Sequence, residues 1–184
     1  MKGIIFNLLE GFVVENYGDQ TYDKLISSCS LKTKGEFVGP GSYPDEDLLE
    51  IVTQAAKMTG VPPGALIEAF GKFCFPKLAE RFPQFVKPYS NPKDFLKTIH
   101  SVIHVEVKKL YKDAETPEFS YMEPSPTELI MVYKSKRKFC ALVDGLLKGV
   151  SEYFQWPISF HQSQCMLKGS PSCDYQISFA TQKA

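Results

Sequence analysis

The sequence predicts an α+β fold, with helices first and a short antiparallel sheet after them. Three observations carry this reading. Apolar residues recur at helical spacing from the N-terminus to about residue 111. After Pro117 the pattern changes to short runs of β-branched and aromatic residues between turn residues. One more helical stretch, 139–154, interrupts those runs. Helices and strands kept apart along the chain, rather than alternating, mark the α+β class.

The elements follow in order. Residues 2–16 read as an amphipathic helix, with Ile5, Leu8, Leu9, Phe12 and Val13 at helical spacing. Gly18-Asp19 interrupts it, and a second helix runs to about Cys29. The stretch 32–43, with Gly35, Gly39, Pro40 and Gly41, is a loop. Pro44-Asp45-Glu46-Asp47 opens a third helix, because Pro suits a first turn and acids suit the positive helix end. Leu48, Ile51, Val52 and Ala55 form its buried face. Val61-Pro62-Pro63-Gly64 breaks the chain before a helix over about 65–82. Asn91-Pro92 starts the longest helix, to about Tyr111, with Phe95, Ile99, Val102, Ile103 and Leu110 facing the core. Strands are expected at 119–121, 129–133, 158–161 and 175–179, with Pro124-Ser125-Pro126 as a turn and a helix over about 139–154.

The chain has 184 residues, which suggests one domain large enough for a buried cofactor. It divides into an N-terminal helical subdomain, 1–63, and a helix–sheet subdomain, 64–184. Twenty-one basic and 21 acidic residues cancel, leaving no basic field for nucleic acid or an anionic membrane. The first apolar stretch, Ile4 to Val14, is broken by Asn7 and Glu10 and is too short to span a bilayer. It lacks the layout of a signal peptide, so a cytoplasmic location is expected. In such a reducing compartment the five cysteines are core thiols, metal ligands or redox sites rather than disulfides.

The run Tyr133-Lys134-Ser135-Lys136-Arg137 follows the strand-like Leu129–Val132. Strand alternation puts Tyr133, Ser135 and Arg137 on one face and the two lysines on the other. Two hydroxyls and a guanidinium suit an anion with two carboxylates, one gripped bidentately by Arg. The two propionates of haem are such a pair. The same tripeptide also reads as a polar edge strand facing water. Upstream, His104 lies in a helical run with His100 four residues before it on nearly the same face. The pair reads as a haem ligand with a bystander, as a chelate for one metal, or as structural histidines; Glu106, the nearest third donor, projects from a different face of the helix.

Tyr-x-Ser-x-Arg downstream of a helical His, with Pro117 between them, resembles the H-NOX family of haem nitric oxide/oxygen-binding domains. The likeness runs from Met1-Lys2-Gly3-Ile4-Ile5 through Phe70-Gly71 to the C-terminal strands. It implies haem b buried between the two halves, His104 as axial iron ligand, Tyr133, Ser135 and Arg137 on the propionates, and Pro117 against the haem. Oxygen-binding members place a distal tyrosine where this chain has Leu142. Its implied neighbours Ile5, Leu9, Cys74, Leu78 and Leu146 are apolar or nearly so, and a thiol is only a weak donor. That departure implies a sensor of nitric oxide, also taking carbon monoxide, rather than of oxygen. No kinase, cyclase or nucleotide-binding motif is present, so the resemblance implies no enzyme. It implies signal transduction to a separate protein, such as a histidine kinase or a cyclic-di-GMP enzyme.

His161, Cys165 and Cys173 form an H-x3-C-x7-C array, and Cys140 lies just after the Tyr133, Ser135 and Arg137 clamp. Three thiolates and an imidazole make a closed tetrahedral zinc set. The alternative is three buried thiols and an exposed histidine. Some H-NOX proteins carry zinc on ligands placed like these, so the resemblance implies zinc. Two rival functions follow from these residues: a zinc-thiolate redox switch, and a metalloenzyme built on His100 and His104.

Overall fold

Helical periodicity in the first half produces four helices, α1 (Gly3–Tyr17), α2 (Asp19–Ser27), α3 (Asp45–Thr59) and α4 (Pro63–Arg81), in a computed structural model that describes residues 1–181. Gly18, at φ 85°, makes the corner between α1 and α2. The loop 32–43 folds back over α1, where the rings of Phe6 and Phe37 stack at 4.1 Å. Asp47 does more than complement a helix end. It is buried, and its carboxylate accepts from the backbone N–H groups of Lys32 and Thr33 and from the Thr33 hydroxyl.

The expected long helix 92–111 is three pieces. Asn91 caps α5 (Pro92–Thr98) by accepting from the Lys93 N–H. A π-helical turn follows over Ile99–Ile103, and α6 (His104–Leu110) completes the rod. The run is rich in β-branched residues, which are stiff and resist a regular α-helical path. A π turn widens the repeat and shifts the phase of everything after it. Ile99 and Ile103, four apart, still pack on the core. Val102 and Leu110, expected on the core side, are instead 42% and 67% exposed.

Four strands form one antiparallel sheet in the order β1 (Glu118–Ser125), β2 (Glu128–Lys134), β4 (Cys173–Phe179), β3 (Ile158–Gln164). The expected turn at 124–126 lies slightly later, because β1 continues to Ser125 through a bulge after Met122. Alternation on β2 and β4 buries Leu129, Met131 and Tyr133 beside Cys173, Tyr175, Ile177 and Phe179. α7 (Cys140–Tyr153) packs along α4. The approach is so close that a Cβ on Gly145 would lie 2.0 Å from the Glu68 carbonyl oxygen.

Two apolar clusters result. One joins α1–α3 to Phe70 and Cys74 of α4 and to Phe139. The other joins the sheet, α5 and α7 to Phe75 and Ala79 of α4. α4 therefore serves both halves, one face to each. No helix among the described residues is long and apolar enough to cross a membrane.

Candidate functional site

His104 opens α6, and its Nδ1 lies 3.2 Å from the carbonyl oxygen of Pro117. A carbonyl can only accept, so Nδ1 carries the proton and Nε2 keeps its lone pair. This is the arrangement in which a histidine binds a metal, with the second nitrogen fixed by an outer partner. Burial holds the His104 pKa down at about 4, reinforced by His100 and Lys108 and opposed by the Pro117 contact. The imidazole is thus neutral and available as a ligand near neutral pH. Pro117 contributes its carbonyl to this arrangement, a role its sequence position alone did not indicate. The ring of Phe119 sits 5.7 Å from that of His104.

His100 does not join His104. It is exposed, and its Nδ1 accepts from the Phe119 N–H at 3.3 Å. Glu106 pairs with Lys109 at 2.6 Å. The only potential metal-binding group of three or more donors found among the described residues is one of cysteines, so no His100–His104–Glu106 centre forms there.

Tyr133, Ser135 and Arg137 follow one another on one side of the chain, while the Arg137 guanidinium is held by Asp45 and Glu115. β2 ends at Lys134, so a turn rather than a strand carries Ser135 and Arg137. The alternation nevertheless persists: Lys134 and Lys136 are exposed while the other three are buried or half-buried. The Arg137 N–H donates to the Ser135 hydroxyl at 3.2 Å. Burial pushes the Tyr133 phenol up, and the hydroxyl lies beside Ser135.

Arg137 faces two acids that sequence reasoning did not assign to the site. Its Nε donates to Asp45 at 2.6 Å, and its Nη1 donates to the Glu115 backbone carbonyl at 2.7 Å, with the Glu115 carboxylate 3.5 Å from Nη2. The Asp45 carboxylate is chemically the same group as a propionate, so the Arg137 fork is already aimed at an acceptor of that kind. Burial raises the Asp45 pKa, but the Met1 ammonium and Arg137 outweigh it and hold the group below the usual carboxylate value. The only sequence signal for Asp45 was its place in an acidic helix start.

The expected distal residues converge in the N-terminal cluster: Leu9 and Cys74 are buried, and Ile5, Leu78, Leu142 and Leu146 pack partly buried around them. Burial pushes the Cys74 thiol well up, keeping it neutral.

Of the four expected zinc ligands, three meet. The Cys140 and Cys173 sulfurs are 2.7 Å apart, with Cys165 at 3.8 and 3.9 Å from them, and all three are buried. His161 is not with them. It lies on the outward face of β3 and is exposed, because alternation turns the next residue inward instead. That residue, Gln162, donates to the Tyr175 hydroxyl at 2.5 Å. Burial raises the Cys165 pKa, but backbone N–H groups of Leu167 and Lys168 and the neighbouring thiols bring it below its ordinary value. Three such thiols can hold a metal ion; the Cys3His set does not form. Donors fit for haem are, by contrast, all present: a neutral histidine with its proton fixed, and a guanidinium with two hydroxyls.

The family model described as Haem-NO-binding matches residues 2–162. The H-NOX protein of Shewanella oneidensis, solved in its Fe(II)NO state, is 32% identical with a TM-score of 0.92, covering 98% of this chain and 100% of its own. The unliganded Fe(II) H-NOX protein of K. algicida is 27% identical at 0.91, covering 100% and 99%. The IWP-051-bound H-NOX of Shewanella woodyi, in the Fe(II)CO state, is 32% identical at 0.85, covering 100% and 97%. With the family model spanning most of its length and the whole fold shared, this chain belongs to the Haem-NO-binding, or H-NOX, family of haem-based gas sensors.

Proposed function

We propose that this protein is a haem-based nitric oxide sensor that passes its signal to a separate protein and has no catalytic activity of its own. The observation that carries the reading is the neutral His104, its Nδ1 tied to Pro117 and its Nε2 free. Haem b, when bound, supplies the iron at which nitric oxide or carbon monoxide is taken; relatives carry these two gases on ferrous iron. His104 would ligate that iron. Arg137 would exchange part of its contact with Asp45 for a propionate, and the Tyr133 and Ser135 hydroxyls would donate to the other. Ile5, Leu9, Cys74, Leu78, Leu142 and Leu146 would exclude water from the gas side.

Gas choice follows from what that wall lacks. Bound oxygen carries partial negative charge and needs a hydrogen-bond donor, whereas nitric oxide on ferrous iron needs none to bind tightly. Leu142 offers no donor, and the Cys74 thiol is a weak one. The family resemblance supports a histidine kinase or a cyclic-di-GMP enzyme as the receiver, with the protein in the cytoplasm. Cys140, Cys165 and Cys173 form a separate set, matched in chemistry to a thiophilic cation such as zinc, that supports the sheet beside the clamp.

The visible spectrum of the reduced protein tests the reading. A strong Soret band that shifts with nitric oxide and with carbon monoxide, but not in air, is expected. No Soret band after haem loading would overturn haem binding, and a stable oxygen complex would overturn the gas assignment.

A further inference from the structure

Lysine side chains are seldom covered, because the ammonium gives up water. Lys2 is an exception, with a side chain only 14% exposed. Its ammonium donates to the Ser42 hydroxyl at 2.7 Å and lies 3.3 and 3.5 Å from the two carboxylate oxygens of Asp113. It also sits 4.6 Å from the centre of the Tyr111 ring, within reach of a cation–π contact. The Ser42 hydroxyl donates to the same Asp113 carboxylate and closes the cluster.

The cluster joins two parts of the chain. Lys2 immediately precedes α1, and its backbone is fixed. It bridges to Ser42, the next N–H, of Gly3, donates to the Gly41 carbonyl at 2.8 Å, and a Cβ on Gly3 would collide with the Val38 carbonyl oxygen. On the other side, Tyr111 ends α6, the helix that begins with His104. Asp113 follows in a segment, 112–117, that contains no helix or strand. That segment closes at Pro117, whose carbonyl takes the His104 Nδ1 proton. No residue of α6 is buried, so its ends fix its course. The π turn holds one end, and the Lys2 ammonium holds the other through Tyr111 and Asp113. An ion pair whose acid is 60% exposed adds little to global stability. Its effect is geometric: a charged arm on a fixed base sets where residues 111–113 lie.

We propose that Lys2 is a positioning residue: through Tyr111 and Asp113 it fixes the end of α6 and, beyond it, the Pro117 carbonyl against His104 Nδ1. A firm bond from Nδ1–H to an outer acceptor makes Nε2 a more basic ligand and strengthens its bond to a metal. Without the arm, the segment drifts and that support weakens. This rests on His104 being the iron ligand.

Two variants test it. Lys2→Met keeps an unbranched apolar stem and removes the ammonium; Asp113→Asn removes the charge at an exposed position, with little risk to folding. The amides of Tyr111 and Ala114 donate to the Val107 and Tyr111 carbonyls and report on the segment. In haem-free protein their exchange is expected to be roughly fivefold faster in both variants, the loss of about one net hydrogen bond. In the reduced, haem-loaded protein, resonance Raman should show the iron–histidine stretch at lower frequency than in wild type in both variants. Lys2→Arg, which keeps a cation for Asp113 and Tyr111, should return both readouts toward wild type. Faster exchange with an unmoved stretch would leave Lys2 a structural tie and overturn the positioning role. Unchanged exchange would overturn the tie itself. A reduced wild-type protein with no iron–histidine stretch would instead overturn the His104 reading, and this proposal with it.

Discussion

At the scale of single residues, the proposed haem site separates into groups that would hold the cofactor and a wall that would select the gas. His104→Gly should fold but lose most haem unless imidazole is supplied, since the pocket stays and only the axial bond goes. Full haem occupancy without imidazole, read from the Soret absorbance, would mean another ligand. Arg137 and Ser135 differ in kind. Arg137 carries charge in a half-buried fork that already satisfies two acids, and charge-assisted bonds are worth roughly 1.5–3 kcal/mol against about 1 for neutral ones. Arg137→Ala should therefore speed haem transfer to an acceptor protein by about tenfold more than Ser135→Ala. Equal rates in the two variants would mean that Arg137 belongs only to its ion pair with Asp45. On the selecting side, Leu142→Tyr puts a phenol among apolar neighbours. One hydrogen bond to a partly charged acceptor is worth about one to two powers of ten in affinity, less whatever overpacking costs. An oxygen-dependent spectral change in this variant, absent from wild type, is the expected outcome.

At the scale of elements, the close α4–α7 contact depends on missing side chains. A Cβ on Gly145 meets backbone at 2.0 Å, and one on Gly71 meets the Leu142 carbonyl oxygen at 2.5 Å. Backbone cannot swing aside as a side chain can, so Gly145→Ala should lower stability by about 1–3 kcal/mol. It should also shift Leu142 with its helix, and thermal unfolding measures the first effect. The periodicities that placed α4 and α7 in the sequence say nothing of how closely they approach. Elsewhere the same limit recurs. Tyr133, Ser135 and Arg137 were legible because alternation is local, and it survives into the turn after β2. The π turn was not legible: a five-residue turn and a regular helix share the apolar spacing of Ile99 and Ile103, and only Val102 and Leu110 betray the shifted phase. His161 looked like a ligand by its distance along the chain from Cys165. Strand parity, which decides the face, turned it outward and Gln162 inward. Asp45 was read as a helix-end acid because its partner Arg137 lies 92 residues away, beyond any local pattern.

At the scale of the whole molecule, that long-range pair joins the two halves of the chain. Asp45 begins α3 in the helical half; Arg137 follows β2 in the half that carries His104. Glu115, just before Pro117, takes the other edge of the guanidinium. One arginine thus touches α3, the segment before Pro117, and the proposed propionate site. A change in how Arg137 is shared between Asp45 and a bound anion would be felt by both halves. The Asp45 carboxylate, held by the Met1 ammonium and Arg137 together, has a definite pH signature. The Asp45 carboxyl is held below its ordinary value of 3.8, so its stabilisation is complete above that value and is lost as pH falls through the lower folded-state value. Asp45→Asn removes the charge but keeps the shape. At neutral pH the variant should be less stable by about 1 kcal/mol, a figure discounted for the partial exposure of the carboxylate. As pH is lowered past 3.8 toward the folded-state value, wild type loses this term and the variant does not, so their melting temperatures should converge. Parallel curves down to acid pH would show that Asp45 gains no stability from either the Met1 ammonium or Arg137.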